Sequence, residues 1–136
     1  MDTHSITSVY NQGNSFTATI NGHKLTTDSN SEGTAEGPSP KKLMLASLAG
    51  CTGIDVASIL TKMKVEFSKF SIDVTASLTD SQPQVYKDVM ITYHIKINEG
   101  DRLKIEKAIK LSEEKYCGVS AMFRAFTNVG HQVDYL

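Results

Sequence analysis

At 136 residues and 40% hydrophobic content the chain has the size of one domain spanning 1–136, and a domain of that size buries roughly two thirds of its unfolded surface. Fourteen basic residues stand against fifteen acidic ones without any run of like charge, so neither nucleic acid nor an anionic membrane is an expected partner. The apolar stretch around Leu43–Leu45 is broken by Ser47, Cys51, Thr52 and Asp55, short of the roughly 18 uninterrupted residues of a membrane span. With no basic head and apolar stretch near its start, the chain is expected to stay in the cytosol, with no transmembrane helix.

Three short strands are predicted first: Ser5–Tyr10, Phe16–Ile20 and His23–Asp28. Asn11 to Asn14 forms the first turn. Asn21-Gly22 forms the second, because both residues tolerate the positive φ of a type I′ hairpin. The polar stretch 29–40 reads as a surface loop that ends in Gly37-Pro38-Ser39-Pro40. Pro40 suits a first helical position and Ser39 suits the cap.

From Lys41 to about Lys64 an apolar helix is expected. Leu43, Met44, Leu45, Leu48, Ile54, Val56, Ile59, Leu60 and Met63 cover nearly every face, so the helix must be buried almost all round. Unbroken, it would be roughly 35 Å long. One curved sheet covers only one side of such a rod, so something else must cover the other. Gly50 and Gly53 flank Cys51, which leaves open one helix with a local irregularity or two helices meeting at the cysteine.

Phe70–Leu78 and Val89–Ile97 alternate apolar and polar residues with Pro83 in the turn between them, and read as two long half-buried strands. Asp101 is the expected cap of a helix whose stripe is Ile105, Ala108, Ile109, Ser112 and Tyr116, ending at Cys117-Gly118. A short helical piece, Ser120–Phe126, and a last strand, Asn128–Tyr135, complete the order βββ-α-ββ-α-β. The class is α+β, with a long buried central helix against an antiparallel sheet.

Two cysteines, Cys51 and Cys117, lie 66 positions apart. In a reducing compartment a permanent disulfide is not the first expectation. Each cysteine also has the plain reading of a small buried core residue. Metal binding draws little support from the sequence: His4, His23, His94 and His131 are isolated, and no Cys-x-x-Cys or His-x-x-x-His spacing occurs. Phosphate-binding loops and a serine nucleophile elbow are also missing. No metal and no cofactor are expected.

The segment Gly37-Pro38-Ser39-Pro40-Lys41-Lys42-Leu43-Met44-Leu45-Ala46-Ser47-Leu48-Ala49-Gly50-Cys51-Thr52-Gly53-Ile54-Asp55-Val56 resembles the central motif of the OsmC-like (OsmC/Ohr) family. That motif is a Gly-Pro-x-Pro loop, an apolar helix and a first cysteine. Tyr116-Cys117-Gly118-Val119-Ser120 is similar to the region of the second cysteine, normally followed by proline and here by glycine. The likeness runs over essentially the whole chain, including element order. It implies an intertwined homodimer with its thiol sites at the subunit interface. It also implies a peroxidatic thiolate at Cys51 that attacks an organic hydroperoxide, a resolving thiol at Cys117, and a dithiol or thiol reductant that restores both.

One departure stands out. Well-characterised peroxidases of the family carry a glutamate directly after the proline matching Pro40 and an arginine in the N-terminal strands. Here Lys41 follows Pro40, and the only arginines are Arg102 and Arg124. This agrees with a less-characterised branch that keeps a Gly-Cys-Thr/Ser-x-x-Asp-Val segment. A thiolate still needs a cationic or hydrogen-bonding neighbour. Candidate substitutes are Arg124, seven residues after Cys117, and the loop carboxylates Glu32 and Glu36. Lys41 and Lys42, in a first helical turn, are expected to face solvent. Asp55, one turn after Cys51, is expected to be a structural hydrogen-bonding group. Leu48, Met122 and Phe123 are the candidate apolar pocket. The leading function is a thiol-dependent peroxidase for organic hydroperoxides in stress or detoxification. Its rivals are a non-catalytic or small-ligand-binding member and a thiol protein that reacts with another electrophile.

Overall fold

The computed structural model describes residues 1–29 and 33–136; Glu32 therefore lies outside the described residues. Two compact units divide the chain, Met1–Met44 and Leu45–Leu136.

In the first unit, β1 (Thr7–Gln12), β2 (Ser15–Ile20) and β3 (His23–Thr27) form an antiparallel sheet in sequence order. The first strand runs two residues further than its predicted end, because a register shift between Tyr10 and Gln12 keeps it paired through the turn. Asn21 and Gly22 adopt φ of 48° and 80°, as a type I′ turn requires. Beyond β3 the backbone N–H of Asp28 donates to the Pro38 carbonyl at 3.1 Å, which brings Gly37 against β3. A Cβ on Gly37 would lie 1.9 Å from the Thr26 carbonyl oxygen, so only glycine fits there.

Helix α1 (Pro40–Lys62) starts in this unit and continues into the second. Pro40 is its first residue, and the Ser39 hydroxyl accepts from the Lys42 N–H at 3.3 Å as the cap. The helix runs unbroken through Gly50, Cys51 and Gly53, which decides between the two readings of that segment. The chain by itself buries one side of this rod, as a single sheet allows. Within the chain one stripe at four-residue spacing is buried, Leu48, Thr52, Val56 and Leu60, while Ile54 stays 72% exposed. The helix is long and apolar enough by composition to cross a bilayer. Its buried stripe belongs to the chain's own core, however, and its one carboxylate is hydrogen-bonded inside the protein, so it is a core helix.

The second unit holds a three-stranded sheet of order β4 (Phe67–Leu78), β5 (Tyr86–Ile97) and β6 (Val129–Tyr135). β4 and β5 pair antiparallel, whereas β6 lies parallel to β5. The sheet is thus mixed rather than purely antiparallel, because α2 (Arg102–Leu111) and α3 (Gly118–Arg124) form a crossover between those two strands. β5 is the central strand and the most buried. Val89, Ile91, Tyr93 and Ile95 join the α1 stripe, Ile105, Ala108 and Ile109 of α2, and Phe123 of α3 in one core.

Asp101 ends a 3-10 turn, Glu99–Asp101, and makes no side-chain cap; it pairs with Lys104 at 3.2 Å instead. After α2 the chain widens into one π-helical turn, Ser112–Tyr116, closed by the Cys117 N–H donating to the Ser112 carbonyl at 2.8 Å. The wider turn shifts the helical phase. Ser112 stays buried on the predicted stripe, but Tyr116 is thrown outward and exposed. Such single π turns frequently sit at functional sites.

Candidate functional site

Cys51 lies in the middle of α1, half-buried, and Cys117 sits at the junction of the π turn and α3, 3% exposed. Cys117 is extended, with φ −83° and ψ 99°, and its side chain caps α3 by accepting from the Ser120 N–H at 3.2 Å. That places its sulfur 2.8 Å from the Cys51 sulfur, with Cys117 as donor. Both are free thiols. The separation exceeds the roughly 2.05 Å of a disulfide bond, yet the sulfurs are near enough for a small side-chain movement to join them. Gly118, the expected helix terminator, instead opens α3.

Asp55 follows Cys51 by one turn, and one carboxylate oxygen lies with both sulfurs in a cluster whose atoms are all within 4.8 Å of one another. The other face of the cluster is held by Ser112, whose hydroxyl donates to Asp55 Oδ2 at 2.9 Å. Burial, together with the bond to Cys51 and the nearby Asp55 charge, pushes the Cys117 thiol up to about 12; the Ser120 N–H pulls it back only in part. Cys117 therefore remains an S–H that donates to Cys51. Of the two sulfurs, that of Cys51 is the hydrogen-bond acceptor and the less buried.

Arg124 is committed elsewhere. Its Nη1 donates to the Ser120 hydroxyl at 2.6 Å and its Nη2 to the Glu113 carbonyl, pinning α3 to the π turn. Among the described residues 45–136, no lysine, arginine or histidine nitrogen is hydrogen-bonded to either sulfur. Glu36 accepts from Gln12 Nε2 at 2.8 Å and from the Ser15 hydroxyl at 2.6 Å, within the first unit. Leu48 and Phe123 are fully buried core residues, while Met122, beside Phe123 on α3, is 65% exposed.

Sequence reasoning passed over several neighbours of the thiols. Ser112 was legible only as a polar residue on an apolar stripe, which is itself the signal of a buried hydrogen-bond partner. Tyr93 of β5 is fully buried, and its hydroxyl has no hydrogen-bond partner meeting normal geometry among the described residues. Desolvation pushes its phenol up to about 12. Thr52, close to the hydroxyl, works against this shift, and the charges of Glu113, Cys117 and Asp55 add to it. The Glu113 carboxylate in turn lies 2.7 Å from His131 Nδ1. The apolar alternation of β5 concealed Tyr93 among ordinary core residues.

A mixed sheet with a long helix and two opposed thiols, one on that helix and one at a π turn, defines a dithiol α+β protein. The chain belongs to the OsmC-like protein family, whose profile matches residues 33–132. It is 28% identical over 113 residues to Protein YhfA of Escherichia coli (strain K12), covering 83% of each chain. Among solved structures it resembles an OsmC-like protein from Mycoplasma pneumoniae, with TM-score 0.86, 18% identity and coverage of 99% and 98% of the two chains. An organic hydroperoxide resistance protein OsmC from Legionella pneumophila, called a predicted redox protein, matches with TM-score 0.66 and 19% identity over 98% and 99% of the chains. At those identities the structural likenesses speak for the fold.

Proposed function

We propose that the protein is a thiol-dependent peroxidase that reduces organic hydroperoxides, with residues 1–136 acting as one functional domain. The observation that carries this reading is the 2.8 Å approach of two free sulfurs that stand 66 positions apart in sequence. A static core thiol needs no such partner, whereas a resolving thiol must have one. The Cys51 thiolate attacks the distal oxygen of ROOH; the O–O bond breaks, the alkoxide takes a proton and leaves as ROH, and Cys51 becomes a sulfenic acid. The Cys117 sulfur then displaces that hydroxyl as water, forming the Cys51–Cys117 disulfide. A dithiol or thiol reductant returns both to thiols. Met122, exposed on α3, is the apolar side chain we assign to the substrate's organic group; the fully buried Leu48 and Phe123 would meet it only on an opening of the core. With Lys41 where the better-known peroxidases have glutamate, the Cys117 S–H stands in for part of the missing activation.

We further propose a cytosolic homodimer. One flank of α1 is left open as a groove of about 470 Å³ lined by Gly50, Gly53, Ile54, Ala57, Phe70 and Ile72. An apolar surface of this kind marks an association site. Sedimentation should give a dimer, and Ile54→Lys should shift it toward monomer.

The main test is consumption of cumene hydroperoxide with dithiothreitol as reductant. Wild type should turn over, and Cys51→Ser should fall to the rate of free dithiol alone. Cys117→Ser should still consume one equivalent and trap a sulfenic acid on Cys51, detected with a dimedone probe. Equal slow consumption by wild type and Cys51→Ser would favour the rival reading, a small-ligand-binding protein that kept the fold and its thiols. That rival draws support from the lack of a basic side chain on either sulfur within the second unit.

A further inference from the structure

The cluster that holds the two thiols has one member the peroxidase chemistry does not use. Asp55 places a carboxylate beside two sulfurs, and a carboxylate there opposes thiolate formation rather than assisting it. With both cysteines ionised the cluster would carry three negative charges. Arg124, the one arginine near Cys117 in sequence, is spent on Ser120 and on the Glu113 carbonyl. What such a set of ligands lacks is a compact positive charge at its centre.

We propose that reduced Cys51, reduced Cys117 and Asp55 form a binding site for a soft divalent metal ion, of which Zn²⁺ is the natural representative. Two thiolates and a carboxylate are zinc ligand types, and three protein ligands leave a fourth position open to water or a small exogenous ligand. The geometry suits it. With Zn–S bonds of about 2.3 Å, tetrahedral coordination sets the sulfurs roughly 3.8 Å apart, and the three donor atoms already lie within 4.8 Å of one another. The sulfurs need only part by about an ångström from 2.8 Å.

The surroundings resemble those of a metal site as well. Ser112 donates to the Asp55 carboxylate at 2.9 Å and orients it, and the Ser120 N–H donates to the Cys117 sulfur at 3.2 Å. Outer partners of this kind fix metal ligands in place. The Tyr93 hydroxyl, fully buried beside Thr52, lies within the field of Cys117 and Asp55. No sequence motif announces the site, because two ligands sit one helical turn apart and the third arrives 62 positions after Asp55 (117 − 55).

Metal binding requires both sulfurs reduced but requires no peroxide, so this inference goes beyond the peroxidase reading and stands or falls separately. Ligation and disulfide formation exclude each other, and the ion would act as a cap on the reduced pair.

The experiment is titration of reduced, metal-free protein with Co²⁺, followed by displacement with Zn²⁺. Wild type should bind one ion per chain with an intense thiolate-to-cobalt charge-transfer absorption in the near ultraviolet. Asp55→Asn should weaken binding at least about 10–100-fold, and Ser112→Ala by a smaller factor. Protein oxidised to the disulfide with diamide should not bind. In parallel, one equivalent of Zn²⁺ should protect both thiols of wild type from dithionitrobenzoate, a readout that needs no variant to fold. Absence of the charge-transfer band, or thiols as reactive with zinc as without it, would overturn the proposal. So would a correctly folded Asp55→Asn that binds as tightly as wild type. Each of these readouts follows the metal and the thiols alone, so it holds whether or not the protein turns over peroxide.

Discussion

The two sheets have three strands each but are held by different physics. In the β4–β6 sheet the central strand inserts Ile91, Tyr93 and Ile95 into a core closed by α1, α2 and α3, and those side chains are fully buried. The β1–β3 sheet keeps Val9, Tyr10, Phe16, Ile20 and Leu25 exposed within the chain. It is organised by local chemistry: the Asn21-Gly22 turn, a 2.9 Å hydroxyl pair between Thr17 and Thr26, and Asn11 donating to Ser15 and Thr17. Burial stabilises the second sheet, whereas turn geometry and polar pairing specify the first. Among the described residues, the apolar side chains of the first sheet thus stay at the surface.

The largest expected effect tests this contrast directly. Leu48→Ala or Ile91→Ala should lower the unfolding free energy by about 2–5 kcal/mol in a urea titration, the usual loss for a large buried aliphatic side chain. Phe16→Ala in the first sheet should cost less than about 1 kcal/mol in dilute protein. A Phe16→Ala loss that grows with protein concentration would show that association covers this sheet.

A smaller effect concerns a buried phenol of the second sheet. The Tyr93 phenol is raised from 10.0 to about 12. As pH rises past 10 the unfolded chain gives up this proton while the folded protein keeps it, so stability present below pH 10 is lost toward pH 12. Tyr93→Phe should flatten that alkaline decline, followed by circular dichroism. A variant whose alkaline profile matches wild type would remove Tyr93 as its source.

The smallest effect lies on the solvent side of the same sheet. His94 on β5 bridges Asp134 on β6 and Asp73 on β4, each at 2.8 Å. These two carboxylates raise its imidazole, Asp134 first, against a lesser opposing cost of desolvation. A raised folded value means the stabilisation is complete below the unfolded value of 6.5 and fades as pH climbs through the folded one. Being exposed, the bridge should contribute little. His94→Gln should lower the urea midpoint slightly at about pH 5.5 and leave it unchanged at about pH 9.

Much of this protein is decided by short-range rules and can be read directly from its residues. Asn21-Gly22 demands a tight hairpin, Ser39-Pro40 starts a helix, and the two-residue alternation of Phe70–Leu78 and Val89–Ile97 is that of paired strands. The cysteine pair was legible only through the family motif, since periodicity says nothing about which of two distant residues meet.

Tertiary structure alone decided the rest. The parallel placement of β6, the π turn that turns Tyr116 out and Cys117 in, and the seating of Asp55 against Ser112 depend on packing between segments far apart in sequence. So does the exposure of α1. The sequence requires an apolar helix there, but how much of it a single chain covers depends on how many layers the fold lays against it, and that is a property of the whole arrangement rather than of any local pattern.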